Sequence, residues 1–316
     1  MRKYHPAITG FVLILFCINA QAQTPNSAKR FFEHGQKSFA AGNLEAAFED
    51  YSRAIEISSR LDFRKRAPTD LLNAANEISS ANPADRVTVI DPFTANAYAS
   101  RGVVRYQQHY LDDAMADFNA AIRISPRLAE AYLGRGVIYR VRGDLDRARA
   151  DFDRAILIDP RLPEAYTDRA DIRIEKGDLD GALTDLNRSL EIKPSCAETY
   201  SLLGYVRVLK NEFESAIASF DRALALNPQL VSAYHGRGNA RMKRGEIERA
   251  IGDFTRALEL DPDLPFVRMN RGLALMLQGK DAQAQRDFER CLALNPGLSS
   301  ELNRRIELIK KVRASR

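Results

Sequence analysis

The stretch "AYLGRGVIYRVRGDLDRARADFDRAILIDP", residues 131–160, reads as two short helices joined by a tight turn. Tyr132, Gly136 and Tyr139 fall at helical spacing, and beyond the turn so do Leu145, Ala148, Phe152, Ala155 and Ile156. Gly143-Asp144 ends the first helix and offers an N-cap to the second, which Asp159-Pro160 closes. Gly136 and Ala148 are small, as two antiparallel helices in close approach require.

The same pattern recurs along the chain. Pro92, Pro126, Pro160, Pro194, Pro228, Pro262 and Pro296 are each 34 residues apart, which puts seven of the thirteen prolines on one ladder. Ala114, Ala148, Ala182, Ala216, Ala250 and Ala284 keep the same step, and so do Phe118, Phe152, Leu186, Phe220, Phe254 and Phe288. Each helix pair is therefore one unit of a stacked array, too small to bury its apolar face alone.

Because the units repeat, the chain can be compared with itself. In five units the residue before the small glycine-like position is Arg101, Arg135, Arg169, Arg237 or Arg271, and sixteen residues later stand Asp117, Asp151, Asp185, Asp253 and Asp287. One unit has Leu203 with Ser219 instead, and the first has His34 with Asp50. Both members change together, so each arginine is expected to meet the aspartate of its own unit and to serve the fold rather than a ligand.

These residues resemble the tetratricopeptide repeat family, whose units are helix-turn-helix pairs of this length. The resemblance covers residues 95–296 as six consecutive units, and a further unit stands at 28–61 with Phe31, Gly35, Ala47, Tyr51 and Ala54 in matching places. Arg268 departs from the pattern at an aromatic position, Ala170 at a glycine and Cys291 at a small residue. Residues 62–94 lack the signature and read as a degenerate repeat or insertion, with a partner-binding lid as the sharper alternative. From 297 to 316 the pattern becomes one helix, with Leu298, Leu302, Ile306 and Ile309 on a stripe, and reads as a cap over the apolar end of the array. The expected fold class is all-α, a right-handed superhelical solenoid of stacked antiparallel helix pairs.

Residues 1–22 differ in kind. Arg2 and Lys3 precede an apolar run from Ile8 to Ile18 and a small-x-small site at Ala20-Gln21-Ala22, the layout of a cleaved secretory signal peptide. A retained anchor is the alternative, but a run of about 11 apolar residues is short where a span needs about 20. The expected location is periplasmic or secreted, with membrane contact confined to that passage. Removing residues 1–22 takes the balance from 47 basic against 42 acidic residues to 45 against 42, which favours no polyanion such as nucleic acid. Cys196 and Cys291 then remain, too few for a disulfide framework.

No nucleophile elbow, phosphate-binding glycine loop, His-Glu-x-x-His or paired Cys-x-x-Cys occurs, and the histidines are scattered. The expectation is a non-enzyme without metal, cofactor or small-molecule substrate, and with a protein or peptide partner. The resemblance implies that first helices line a concave binding face. By phase that face carries Phe32, Val103, Tyr106, Leu133 and Val137, then Asp171, Glu175 and Tyr205, then Met242, Met269, Leu273 and Met276. Members of the family that capture a terminal carboxylate do so at phases occupied here by His235, Asn239, Asn270, Ser300 and Arg304. His235 and Ser300 stand where lysines are expected. The functional expectation is a protein-protein interaction scaffold holding an extended peptide or partner helix, with an envelope assembly factor or chaperone-like binder of unfolded clients as the alternative.

Overall fold

The computed structural model describes residues 26–65 and 92–314. The expected signal peptide at 1–22 and most of the 62–94 segment lie outside the described residues. The described residues hold fifteen α-helices and no strand. They divide into a unit ending at Ile172 and one beginning at Arg173.

The first unit contains α1 (Asn26–Ala40), α2 (Leu44–Lys65), α3 (Pro92–Gln107), α4 (Leu111–Ile124), α5 (Ala129–Val141), α6 (Leu145–Ile158) and most of α7 (Pro163–Glu175). Helices α1 and α2, α3 and α4, and α5 and α6 form hairpins, and each second helix also packs on the first helix of the next pair. The second unit contains α8 (Leu179–Ile192), α9 (Ala197–Leu209), α10 (Phe213–Leu226), α11 (Val231–Lys243), α12 (Ile247–Leu260), α13 (Pro265–Leu277), α14 (Asp281–Leu294) and α15 (Ser299–Ala314). The same alternation of hairpin and inter-pair packing runs from α8 to α14.

A phenylalanine ring sits at the same phase in five of the pairs, Phe118, Phe152, Phe220, Phe254 and Phe288, with Tyr51 and Leu186 in the other two. Phe118 lies between Gly102 of its own pair and Gly134 of the next, where added Cβ atoms would come within 3.0 and 2.3 Å of the ring. Phe220 is held in the same way between Gly204 and Gly236, at 2.8 and 2.3 Å. This explains the Gly-x-Gly of residues 134–136 and 236–238: the first glycine meets the preceding pair's ring and the second its own. Inside each pair, the turn needs a left-handed residue. Gly143 takes φ 80°, and at the equivalent places His109 and Asn211 adopt φ 66° and 61° without being glycine.

The expected arginine-aspartate pairs form at Arg101, Arg135, Arg237 and Arg271, and they reach further than their own unit. Arg135 grips Asp151 with Nε and Nη2, both at 2.8 Å, and Arg271 grips Asp287 at 2.8 and 2.7 Å. The remaining nitrogen of each turns to the second helix of the preceding pair: Arg135 Nη1 donates to Asn119 Oδ1 at 2.9 Å and Arg271 Nη1 to Thr255 Oγ1 at 3.3 Å. Arg101 with Ser52 and Arg237 with Asp221 repeat the arrangement, and Arg169 Nη1 makes the same reach back to Asp153. One planar guanidinium thus ties three helices, which suits its fixed fork of donors. Where Leu203 replaces the arginine, Ser219 is served from one turn further along, by Arg207 Nη1 at 2.6 Å. Arg268 keeps a bond of the aromatic it replaces. Its Nε and Nη2 donate to Pro262 O at 3.1 and 2.9 Å, as Tyr132 and Tyr166 hydroxyls do to Pro126 O and Pro160 O.

Helix α15 follows a short 3-10 turn at Pro296–Leu298 and lies along α13. Its stripe of Leu302, Ile306 and Ile309 packs into a cluster with Met269, Leu273, Met276 and Phe288. The stripe is the one expected of a cap, and it covers a first-helix face.

The pairing makes a thermodynamic prediction. Asp151→Ser leaves the Arg135 guanidinium without its carboxylate and is expected to lower stability by about 3 kcal/mol, the low end for a broken buried pair because Arg135 is partly exposed. Adding Arg135→Leu recreates the natural Leu203 and Ser219 combination and should recover most of that loss in urea unfolding.

Candidate functional site

The first helices of each pair carry the candidate residues, and packing decides which of them face solvent. In the first unit Val103 and Tyr106 are half-buried on α3. Leu133 and Val137 are not groove residues. They are 0% and 4% exposed, in a core with Phe152, Leu162, Ala165 and Ile172, because α7 lies over them. Phe32 is likewise core, stacked edge-on against Phe93 with ring centroids 5.0 Å apart.

Beside Tyr106 lies a charged cluster. Arg140 on α5 reaches Asp168 Oδ1 at 3.3 Å and Asp171 Oδ2 at 3.4 Å, both on α7. Burial pushes the Asp168 carboxyl up to about 7, the Arg140 charge opposes this, and the neighbouring Asp171 and Glu164 add to it. Burial also raises the Tyr106 hydroxyl above its ordinary value. The Arg140 guanidinium thus lies between two carboxylates of one helix.

In the second unit Tyr205 on α9 is 49% exposed and Leu209 is exposed beside it, while Met242 on α11 is half-buried. Ser201 and Ser232 hydroxyls, 3.2 Å apart, link the two helices. Met269, Leu273 and Met276 again depart from the expectation. They are 2%, 3% and 8% exposed because α15 covers them.

The polar residues of this face converge. Asn270 Nδ2 donates to Asn239 Oδ1 at 2.8 Å and to His235 Nε2 at 3.1 Å, so the imidazole proton sits on Nδ1. Burial lowers His235 to about 4, which keeps it neutral at pH 7. Arg305 Nη1, not Arg304, donates to Asn270 Oδ1 at 2.8 Å. Arg304 is exposed and bound to Glu301, with its shortest contact 2.7 Å. The reason is rotational. The apolar stripe of α15 sets which side faces α13, and Arg305 lies near that side whereas Arg304 is turned about another 100° away. Counting by repeat phase carried the register unchanged across the turn at 296–298; the stripe itself, Leu302 and Ile306, holds the signal that Arg305 is the inward residue. Ser300 is exposed and outside the cluster. Among the described residues, Asn239 Nδ2, His235 Nδ1 and Arg305 Nη2 make no protein hydrogen bond. The cluster therefore presents donors and a positive charge, which suits an oxyanion such as a carboxylate.

Cys291 is buried with its thiol pushed up by burial, and Cys196 is half-buried with Sγ 3.5 Å from Glu198; both are free thiols. Among the described residues no group of three or more His, Cys, Asp and Glu side chains is placed to hold a metal, and no helix is long and apolar enough to cross a membrane.

Models described as tetratricopeptide repeats match residues 104–165, 136–202, 204–243, 238–279 and 265–298. The chain belongs to the tetratricopeptide repeat family. A search of curated proteins finds no match. Among solved structures, this tetratricopeptide protein is similar to PilF of Pseudomonas aeruginosa, with 16% identity over 70% of this chain and 97% of that one and a TM-score of 0.60. It is also similar to a tetratricopeptide repeat protein of Parabacteroides merdae, with 16% identity over 90% and 100% of the two chains and a TM-score of 0.55. A third likeness is to a chain of the Cut9-Hcn1 hetero-tetramer of APC/C, with 17% identity over 87% of this chain and 54% of that one and a TM-score of 0.61. At such identities the likeness is one of fold: stacked helix pairs forming a tetratricopeptide solenoid.

Asp168 supplies a pH test. A carboxyl held at about 7 in the fold and at 3.8 when unfolded binds its proton more tightly in the folded state, so its contribution to stability is full at low pH and is lost as pH rises from about 4 to 7. Asp168→Asn cannot ionise, and its melting temperature relative to wild type is expected to rise between pH 5 and pH 8. A difference that stays constant, or falls, would refute the assignment.

Proposed function

We propose that this tetratricopeptide protein is a non-catalytic protein-protein interaction scaffold that holds a peptide or partner helix on its first-helix face. The observation that carries the reading is in the unit beginning at Arg173. There the half-buried Met242 stands on α11 with the unfilled donors of His235 and Asn239, the exposed Tyr205 lies on the preceding first helix α9, and Arg305 reaches the same cluster from α15 through Asn270. Residues 235, 239 and 242 share one face of α11 by helical spacing. An aromatic and a methionine give adaptable apolar contact, and the donors fit a carboxylate on the same partner. The partner in this reading is a protein segment with apolar side chains and an acidic group, either a side chain or a terminus. The interaction family supports this class of partner, and the donor set supports the carboxylate.

The test is capture. With residues 23–316 as bait, Tyr205→Glu combined with Met242→Glu is expected to lower recovery of co-purifying proteins at least tenfold while helicity and melting temperature hold. Full retention of the same partners would remove the face from consideration.

We also infer that the scaffold acts outside the cytoplasm, on the strength of the basic, apolar and small-x-small order of residues 1–22. Intact mass should place the mature N-terminus at Gln23, and deletion of residues 2–22 should retain the protein in the cytoplasmic fraction. A full-length mass from cell-envelope extracts would contradict cleavage.

A further inference from the structure

Helix α15 does two things at once. It closes the apolar end of the second unit, and it lies over Met269, Leu273 and Met276, which occupy the first-helix face of α13. One repeat earlier, 34 residues back, the equivalent positions are His235, Asn239 and Met242, which belong to the candidate binding face. The last rung of that face is thus filled by the protein's own helix.

The seat is apolar and narrow. Leu302 is 2% exposed, but Ile306 and Ile309 are only partly buried. Most charges of α15 are satisfied along its own length, Glu301 by Arg304 and Arg305 and Glu307 by Lys310. Arg305 to Asn270 at 2.8 Å and Arg313 to Asp281 at 2.6 Å tie it to α13 and α14. Its flank exposes Leu308 at 51%, whereas Ala274, Ala240 and Val206, at the same phase of the preceding first helices, are 0% exposed. Unlike those helices, α15 leaves part of its apolar surface in water, and it joins the body through Pro296 and Gly297. Fewer buried apolar contacts and largely internal ion pairs make it the element expected to detach at lowest free energy.

We propose that α15 is a built-in occupant of the α13 face, displaced by an amphipathic helix of a partner protein. The resident helix defines the chemistry of its competitor: apolar residues at positions one, five and eight, as Leu302, Ile306 and Ile309, with a basic residue at position four, as Arg305, to bond Asn270. The proposal rests on the scaffold reading and names the regulation of its last rung. Displacing α15 removes Arg305 from the donor cluster, so the helix partner and the acidic segment bind in mutually exclusive states, and the test reports on α13 rather than on Tyr205 or Met242.

The probe is a labelled synthetic peptide of residues 297–314, added to the full chain. Wild-type protein holds its own α15 in place, so binding is expected to be weak; Leu302→Asp with Ile306→Asp undocks α15 and should tighten peptide binding at least tenfold. Leu273→Asp in that background should abolish it. Equal affinity for wild type and the double variant, or no binding to a double variant that keeps its helicity, would overturn the proposal. Should the variant fail to fold, hydrogen exchange on the wild-type chain decides. Amides of α15 exchanging at least tenfold faster than those of α13 and α14 support displacement, and exchange in step with the whole unit overturns it. A wild-type dimer that the peptide dissolves would also overturn it, by making the occupant the α15 of a second copy.

Discussion

Everything in this fold depends on how closely one helix can approach a phenylalanine ring. Phe118 and Phe220 are each pressed between a glycine of their own pair and a glycine of the next, with no room for a Cβ on either side. The contact fixes the spacing within a pair and between pairs at once. Interiors are packed like crystals, so a side chain added there displaces a helix rather than filling a void. Register in the stack follows at these two junctions, where one ring meets two glycines 32 residues apart, as Gly102 and Gly134 are.

Electrostatics then secures what packing spaces. The arginine preceding each glycine lies beside the ring junction, half-shielded from water, and its five donors span the acid of its own pair and a polar acceptor of the preceding one. A lysine, with a single charged centre, could not reach both in the same plane. The exception at Leu203 is informative. Ser219 still receives a donor from Arg207, at the phase where Arg105 and Arg241 bond Asp117 and Asp253, so the buried hydroxyl is not left without a partner.

The candidate binding face is what the stack leaves uncovered. Positions of identical phase end up as core or surface according to the helix that follows: Val137 disappears beneath its neighbour, whereas Tyr205, two repeats on, does not. At the far end α15 takes the place of a following helix and hides Met269, Leu273 and Met276. Neither His235 nor Asn270 is exposed enough to be read as a surface group, yet together with Asn239 and Arg305 they bring unfilled donors to one place. Fold and face are therefore two results of one packing pattern.

Period, helix boundaries near each proline, the small residues at close approaches and the coupled arginine-aspartate positions are all local or repeated properties, and the sequence alone determined them. Repetition supplied the evidence that a single domain lacks: seven copies showing which positions vary together. The sequence was silent on rotation and cover. Whether Arg304 or Arg305 turns inward depends on how an apolar stripe seats on α13, and whether a groove phase faces water depends on the helix laid over it. Both are set by the sum of many weak contacts between distant segments, and only the tertiary structure carries that sum out.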